Sequence, residues 1–283
     1  MGIDGAGKTT LLEYVRPALA EAGIECVDTS KRPAIRSVQS NEGFPARSLE
    51  RLWLELWRLL LGGGRSDSDQ LPADTAIPLQ FTDQTKVASG WITDALPADV
   101  TGVRRSGLVA SGLTELAIDQ LIRAEIIEPV LARGAVAMLD AFGFKPTLIR
   151  IAIAREIADD TMSGDALDQF EAVLRAAYST SFLQPDIGFL LDADPQRSYE
   201  WRMRQEGRLG VSEDLWLAGR KGGASYLALQ TIMADKLRTA AVDWGWHILK
   251  VDGRPQRETA DEAVEIMMHD AGMRRLIEQP AGD

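Results

Sequence analysis

The chain has 283 residues, of which 45% are apolar and 26% charged, with a formal charge of −11. That composition is globular with ample material for a core, and such acidity argues against a nucleic-acid surface, which is normally basic. No apolar run approaches the ~20 residues of a membrane helix and no signal-peptide pattern is read, while the lone Cys26 excludes an internal disulfide and fits a reducing cytoplasm.

In chain order, the first feature is Gly2-Ile3-Asp4-Gly5-Ala6-Gly7-Lys8-Thr9-Thr10. It fits G-x-x-x-x-G-K-[ST], a loop whose backbone N–H groups cradle nucleotide phosphates. Gly2, Gly5 and Gly7 permit the backbone angles that turn amides inward. Lys8 reaches the β- and γ-phosphates and Thr9 offers its hydroxyl to Mg²⁺, with Asp4, Ala6 and Thr10 completing the loop. A nucleoside triphosphate is the expected ligand. Such a loop needs a strand to deliver it, yet only Met1 precedes Gly2. A start placed too late is favoured over a trimmed chain or a lost strand.

Residues 8–22 have helical apolar spacing, interrupted by Pro17 and ended by Gly23, and 24–28 read as a strand. Cys26 lies in that apolar run and is read as core rather than nucleophile. Ser48 is expected to cap a helix over 49–61 that is apolar nearly all round. Core packing is the plain reading of that helix, with a partner or substrate on its spare face as the other. Residues 63–110 are rich in Gly, Pro, Asp and Ser, with a near-repeat Leu-Pro-Ala-Asp at 71–74 and 96–99. So long an irregular connection suggests a lid or a substrate-binding insertion, with Phe81, Val87 and Trp91 folding against something. Arg104-Arg105 is either an anion site or a solvated basic pair.

A long helix over 113–133 leads to an apolar strand, 135–140, that ends in Asp140. A carboxylate there holds Mg²⁺ or orients an acceptor hydroxyl; otherwise it caps the next turn. Helices are expected over 147–158 and 165–177. A buried strand follows at 187–192, then a helix opened by Asp194-Pro195 that carries Arg197, Arg202 and Arg204, with Arg208 beyond. These arginines are either a surface charge run or the forks that stabilise phosphoryl transfer. The glycine-bearing stretch 207–223 reads as mobile. A helix over 224–243, a strand over 246–251 and a helix over 258–271 close the chain, with a frayed tail after Arg275. His247 and His269 are far apart, so no zinc site is expected and Mg²⁺ held through phosphates is.

On these residues the chain resembles the thymidylate kinase family of nucleoside monophosphate kinases. The loop at 2–10 with its internal Asp4, the helix and strand over 113–140, PDIGFLLDADP at 185–195, the stretch around Tyr226, and Val251-Asp252-Gly253 carry the resemblance. It covers 1–28 and 108–270 and hardly touches 29–107. It implies a single domain over 1–283, a three-layer P-loop NTPase fold with a five-stranded parallel sheet of order 2-3-1-4-5, ATP, Mg²⁺, and an arginine-bearing lid at about 202–223. A homodimer is plausible from the same resemblance.

Two departures matter. Where the family carries Asp-Arg pairs that grip the acceptor's phosphate, this chain has Asp140-Ala141 and Asp119-Gln120. A phosphate without those charge-assisted bonds, each worth about 1.5–3 kcal/mol, binds far more weakly. Lys145, Arg150 or Arg104 are possible substitutes. The expectation is therefore an ATP-dependent kinase acting on a small acceptor other than dTMP. In it Lys8, Asp140, Arg202, Arg204 and Arg208 serve transfer, Thr9 and Asp140 the metal, and Asp4, Asp119, Lys145 and Arg150 the acceptor. A true dTMP kinase with replaced arginines and a nucleotide-binding regulator without catalysis are the alternatives.

Overall fold

The computed structural model describes residues 1–38, 44–66, 72–77, 100–157, 161–209, 213 and 220–278. Phe81, Val87, Trp91, residues 96–99, and 210–212 and 214–219 of the expected lid lie outside the described residues. In order, the chain forms α1 (Lys8–Glu21), β1 (Cys26–Asp28), α2 (Lys31–Val38), α3 (Ala46–Leu61), β2 (Arg65–Ser66), a 3₁₀ turn (Ala73–Ala76), β3 (Val100–Thr101) and α4 (Arg105–Ile122). A π-helical turn (Arg123–Ile127) then carries α4 into α5 (Glu128–Ala132). The second half holds β4 (Val136–Met138), α6 (Phe144–Glu156), α7 (Gly164–Tyr178), β5 (Phe189–Asp192), α8 (Pro195–Glu206), α9 (Gly223–Asp243), β6 (His247–Lys250), α10 (Gln256–His269) and α11 (Ala271–Glu278).

The expected five-stranded parallel sheet, and with it the three-layer P-loop fold, does not form. Among the described residues parallel pairing is confined to two separate two-stranded sheets, β1 with β4 and β5 with β6, and a third pair, β2 with β3, is antiparallel. The loop was expected to need a delivering strand, and only residues 1–3 precede its turn. They contribute one parallel bridge, Gly2 to Leu191, because the chain already turns at Asp4. Most packing is helix on helix instead: α3 lies against α4, α4 against α6, and α6 against α7.

Local chemistry explains several boundaries. Helix α3 starts at Ala46, after Pro45, so Ser48 lies inside the first turn and does not cap it. The π turn precedes Pro129, which has no N–H to return to the preceding turn, so the ladder widens there. In α8 the Asp194 side chain accepts a hydrogen bond from the Arg197 amide at 3.0 Å and Pro195 occupies the first turn, as the sequence indicated. Helix α2 was not foreseen.

Arg105 fastens the start of α4 to the end of α6. Its guanidinium donates to the Ala154 carbonyl at 2.8 Å, to Ile157 at 2.6 Å and to Met162, which satisfies carbonyls the helix end leaves open. It is thus neither an anion site nor a solvated member of a basic pair. Arg105→Ala should lower stability by about 2–4 kcal/mol, since several charge-assisted bonds are lost together, and urea denaturation measures this. A change within about 0.5 kcal/mol, the range of neutral surface substitutions, would show that the fastening contributes nothing.

Candidate functional site

The loop ahead of α1 curls around an uncapped helix start. Gly5 and Gly7 have φ of 79° and 84°, the left-handed region, and a Cβ on Gly5 would stand 2.7 Å from the Ser198 carbonyl oxygen. No side chain caps α1, and the first backbone bond of the helix is the Leu11 amide to Gly7 at 2.9 Å. The amides of Gly7, Lys8, Thr9 and Thr10 therefore have no backbone acceptor among the described residues. Free amides at a helix start are a ready site for phosphate.

Lys8 lies across this loop, its Nζ donating to the carbonyls of Ile3 at 2.8 Å and Gly2 at 3.3 Å. Burial and the neighbouring Lys145 bring its pKa down to about 7, with Asp4, Asp140 and Glu213 opposing. Asp4 is held at four atoms. Lys145 Nζ donates to Oδ1 at 2.5 Å and Gln230 Nε2 to Oδ2 at 3.1 Å, while the Asp4 amide donates to Gln230 Oε1 at 3.1 Å and Tyr226 donates to the Asp4 carbonyl at 2.6 Å. Burial would raise the Asp4 carboxyl, but Lys145 and then Lys8 bring it down to about 2.

From the loop a cleft of about 1050 Å³ runs toward α3 and α4. Single small-molecule pockets measure roughly 300–1,000 Å³, so there is space for two reactants. Asp140 lies on its wall just beyond β4, where the Asp140 amide donates to Ser30 Oγ at 3.0 Å and the Thr29 hydroxyl donates to the Met138 carbonyl at 3.1 Å. Arg202 and Arg204 line the cleft too. Arg202 is paired with Glu206 at 2.5 Å and Glu213 at 3.1 Å, and Arg204 faces Glu200 at 3.7 Å. Arg208 is exposed and is not among the lining residues.

At the far end, Trp53 and Trp57 of α3 stand edge to face with ring centres 6.4 Å apart, and Lys31 lies 5.6 Å from the centre of the Trp53 ring. Below them Glu115 is buried between two cations, Lys31 in direct contact and Arg150 Nη2 at 3.2 Å. Burial would raise the Glu115 carboxyl, but Lys31 and Arg150 bring it below its ordinary value. Asp119 accepts from the Tyr178 hydroxyl at 2.6 Å and pairs with Lys31 at 3.3 Å. Burial raises the Asp119 carboxyl, with Lys31 opposing and Glu115 adding. A Cβ at Gly143 would meet Asp119 Oδ2 at 1.5 Å, so only glycine allows this approach.

The structure thus brings together on one cleft Asp4, Gly5, Ala6, Gly7, Lys8, Thr9, Thr10, Asp140, Lys145, Arg150, Arg202 and Arg204. Gly2 is buried against β5 and lies under the loop, and Asp119 sits behind the wall. Sequence reasoning passed over Lys31, Glu115 and Gln230, and gave a substrate on the helix of the two tryptophans only as its second reading. Glu115 could have been found: it shares a buried stripe with Leu108, Ser111, Ile118 and Ile122 at helical spacing, where a charge needs a partner. Near the loop, Arg254 and the buried Thr259 also line the cleft.

No group of three or more His, Cys, Asp or Glu side chains placed to hold a metal ion occurs among the described residues. No helix among them is long and apolar enough to cross a membrane. No model of a protein family matches this chain, and none of the curated proteins matches it in sequence.

The Asp4 contacts give a pH signature. A carboxyl at about 2 in the fold and near 3.8 unfolded adds stability that is fully present above pH 4 and is lost as pH falls toward 2. Asp4→Asn should lower stability at pH 7 by about 2 kcal/mol, with the gap to the parent protein closing between pH 4 and 2. Denaturant melts across that range measure the gap; a constant difference would assign the loss to geometry alone.

Proposed function

We propose that the cleft transfers a phosphoryl group from a nucleoside triphosphate, ATP with Mg²⁺, to a small hydroxyl-bearing acceptor. The supporting observation is the row of unpaired amides at Gly7, Lys8, Thr9 and Thr10, with Lys8 folded over it and Asp140 on the same cleft. The reading rests on this local arrangement and on the family resemblance of the motifs, and it does not depend on a five-stranded sheet.

Lys8 rests on two carbonyls of its own loop, a position from which an incoming polyphosphate draws it by charge. Thr9 and Asp140 are the residues that would hold Mg²⁺; with so few protein ligands, phosphate oxygens fill the remaining positions, the usual arrangement for this ion. The ion supplies charge neutralisation on the phosphates. Asp140 orients the acceptor hydroxyl and takes its proton. Arg202 and Arg204 approach from α8 to balance charge on the moving group, and the Glu206 and Glu213 partners of Arg202 fix where it stands. The acceptor is something other than dTMP, because Ala141 and Gln120 stand where paired arginines would grip its phosphate and Asp119 is committed to Tyr178 and Lys31. The lone cysteine fits a cytoplasmic setting.

Lys8→Ala should abolish measurable triphosphate binding or lower turnover by about 10²-fold or more, read by calorimetry and ADP release. Asp140→Asn should keep the fold and nucleotide affinity while lowering transfer by about 10²–10⁴-fold. Unchanged nucleotide affinity and turnover in Lys8→Ala would overturn the site. Nucleotide binding with no phosphorylated product from any hydroxyl compound would leave a nucleotide-binding regulator.

A further inference from the structure

The end of the cleft away from the loop is chemically distinct from the loop end. Its walls are the two α3 indoles, with Leu56 and Leu60 beside them. Its buried cations are already matched: Lys31 to Glu115 and Asp119, and Arg150 to Glu115. Two cations thus face the Glu115 carboxylate and the Asp119 carboxyl. Apart from the exposed Arg32, an incoming dianionic phosphate would find no surplus positive charge there and would have to break a buried pair.

Two donors in this end are unsatisfied. Trp57 is 9% exposed and Arg150 6%, and the indole Nε1 of the one and Nη1 of the other have no hydrogen-bond partner among the described residues. Both side chains line the cleft. The other nitrogens of Arg150 are fixed, Nε on Ser111 Oγ at 2.8 Å and Nη2 on Glu115, so the guanidinium is held in place with one edge left over. Two shielded N–H donors beside an aromatic wall call for a neutral oxygen acceptor on a flat body.

We propose that this end binds an uncharged acceptor, a flat and largely apolar ring system bearing a carbonyl oxygen, with Trp57 Nε1 and Arg150 Nη1 as its hydrogen-bond donors. The inference rests on reading the cleft as a site of phosphoryl transfer and narrows the acceptor from any hydroxyl compound to that class. Arg32, exposed at the rim, is the cation a phosphorylated acceptor would have to use instead.

The test is calorimetric titration of the whole chain, without nucleotide, using matched pairs: uridine, thymidine, inosine and 4-hydroxyacetophenone, each against its monophosphate. At least one neutral member should bind at least tenfold more tightly than its phosphate. Trp57→Phe keeps a ring in the wall and removes the N–H, and should weaken that neutral compound about tenfold while the melting temperature stays that of a folded protein. Tighter binding of the phosphates throughout, with sensitivity to Arg32→Ala, overturns the proposal. So does failure of every neutral compound to bind at millimolar concentration, or affinity unmoved by Trp57→Phe. The Trp57→Phe and Arg32→Ala readouts belong to this end, so they separate it from phosphate held at the loop amides. Neutral compounds that bind but are never phosphorylated with ATP would defeat the transfer reading alone.

Discussion

Asp4 is the residue on which the site depends. Its amide, its carbonyl and both carboxylate oxygens are each occupied, by Gln230, Tyr226, Lys145 and Gln230 in turn. Two of those partners come from α9 and one from α6, so a residue near the start of the chain is held between helices more than a hundred positions away. A glycine-rich loop loses much conformational freedom when it is ordered. Here that cost is met by folding and is not left to ligand binding, so the amides of residues 7–10 are in place before any anion arrives.

The two ends of the cleft divide the electrostatic work. At the loop end the open donors are the amides of residues 7–10, beside Lys8, which rests on two carbonyls, while Arg202, Arg204 and Arg254 are each paired with a glutamate. At the α3 end, every buried cation meets a carboxyl group. A buried ion cluster of this kind contributes little net stability, since desolvation offsets most of the attraction, but it is costly to disturb. Glu115 is its hub, and the helices that supply its partners, α2 and α6, are thereby aligned on α4.

The local parts of this arrangement were legible in the sequence and the distant ones were not. The loop could be read because its chemistry lies in nine consecutive residues, and the Asp194-Pro195 helix start because capping is local. The sheet could not. Pairing of β1 with β4 joins residues over a hundred positions apart, and strands of two to four residues carry too little pattern to fix an order, so the order taken from the family was wrong for this chain. The all-round apolarity of α3 was visible, yet its cause was not: one side packs on α4 and another lines the cleft with Trp53 and Trp57. Arg105 shows the same limit, since nothing in the sequence near it points to carbonyls some fifty residues on.

Helix α6 carries both Lys145, which anchors the glycine-rich loop through Asp4, and Arg150, which floors the opposite end of the cleft. Five residues of α-helix span about 7.5 Å along the axis. The helix is therefore a ruler inside the molecule, setting the spacing between the two compartments by backbone geometry that side-chain motion cannot alter. Any change in the distance between the two ends of the cleft has to come from elements off that ruler, so the length of what the cleft can hold is set before its chemistry matters.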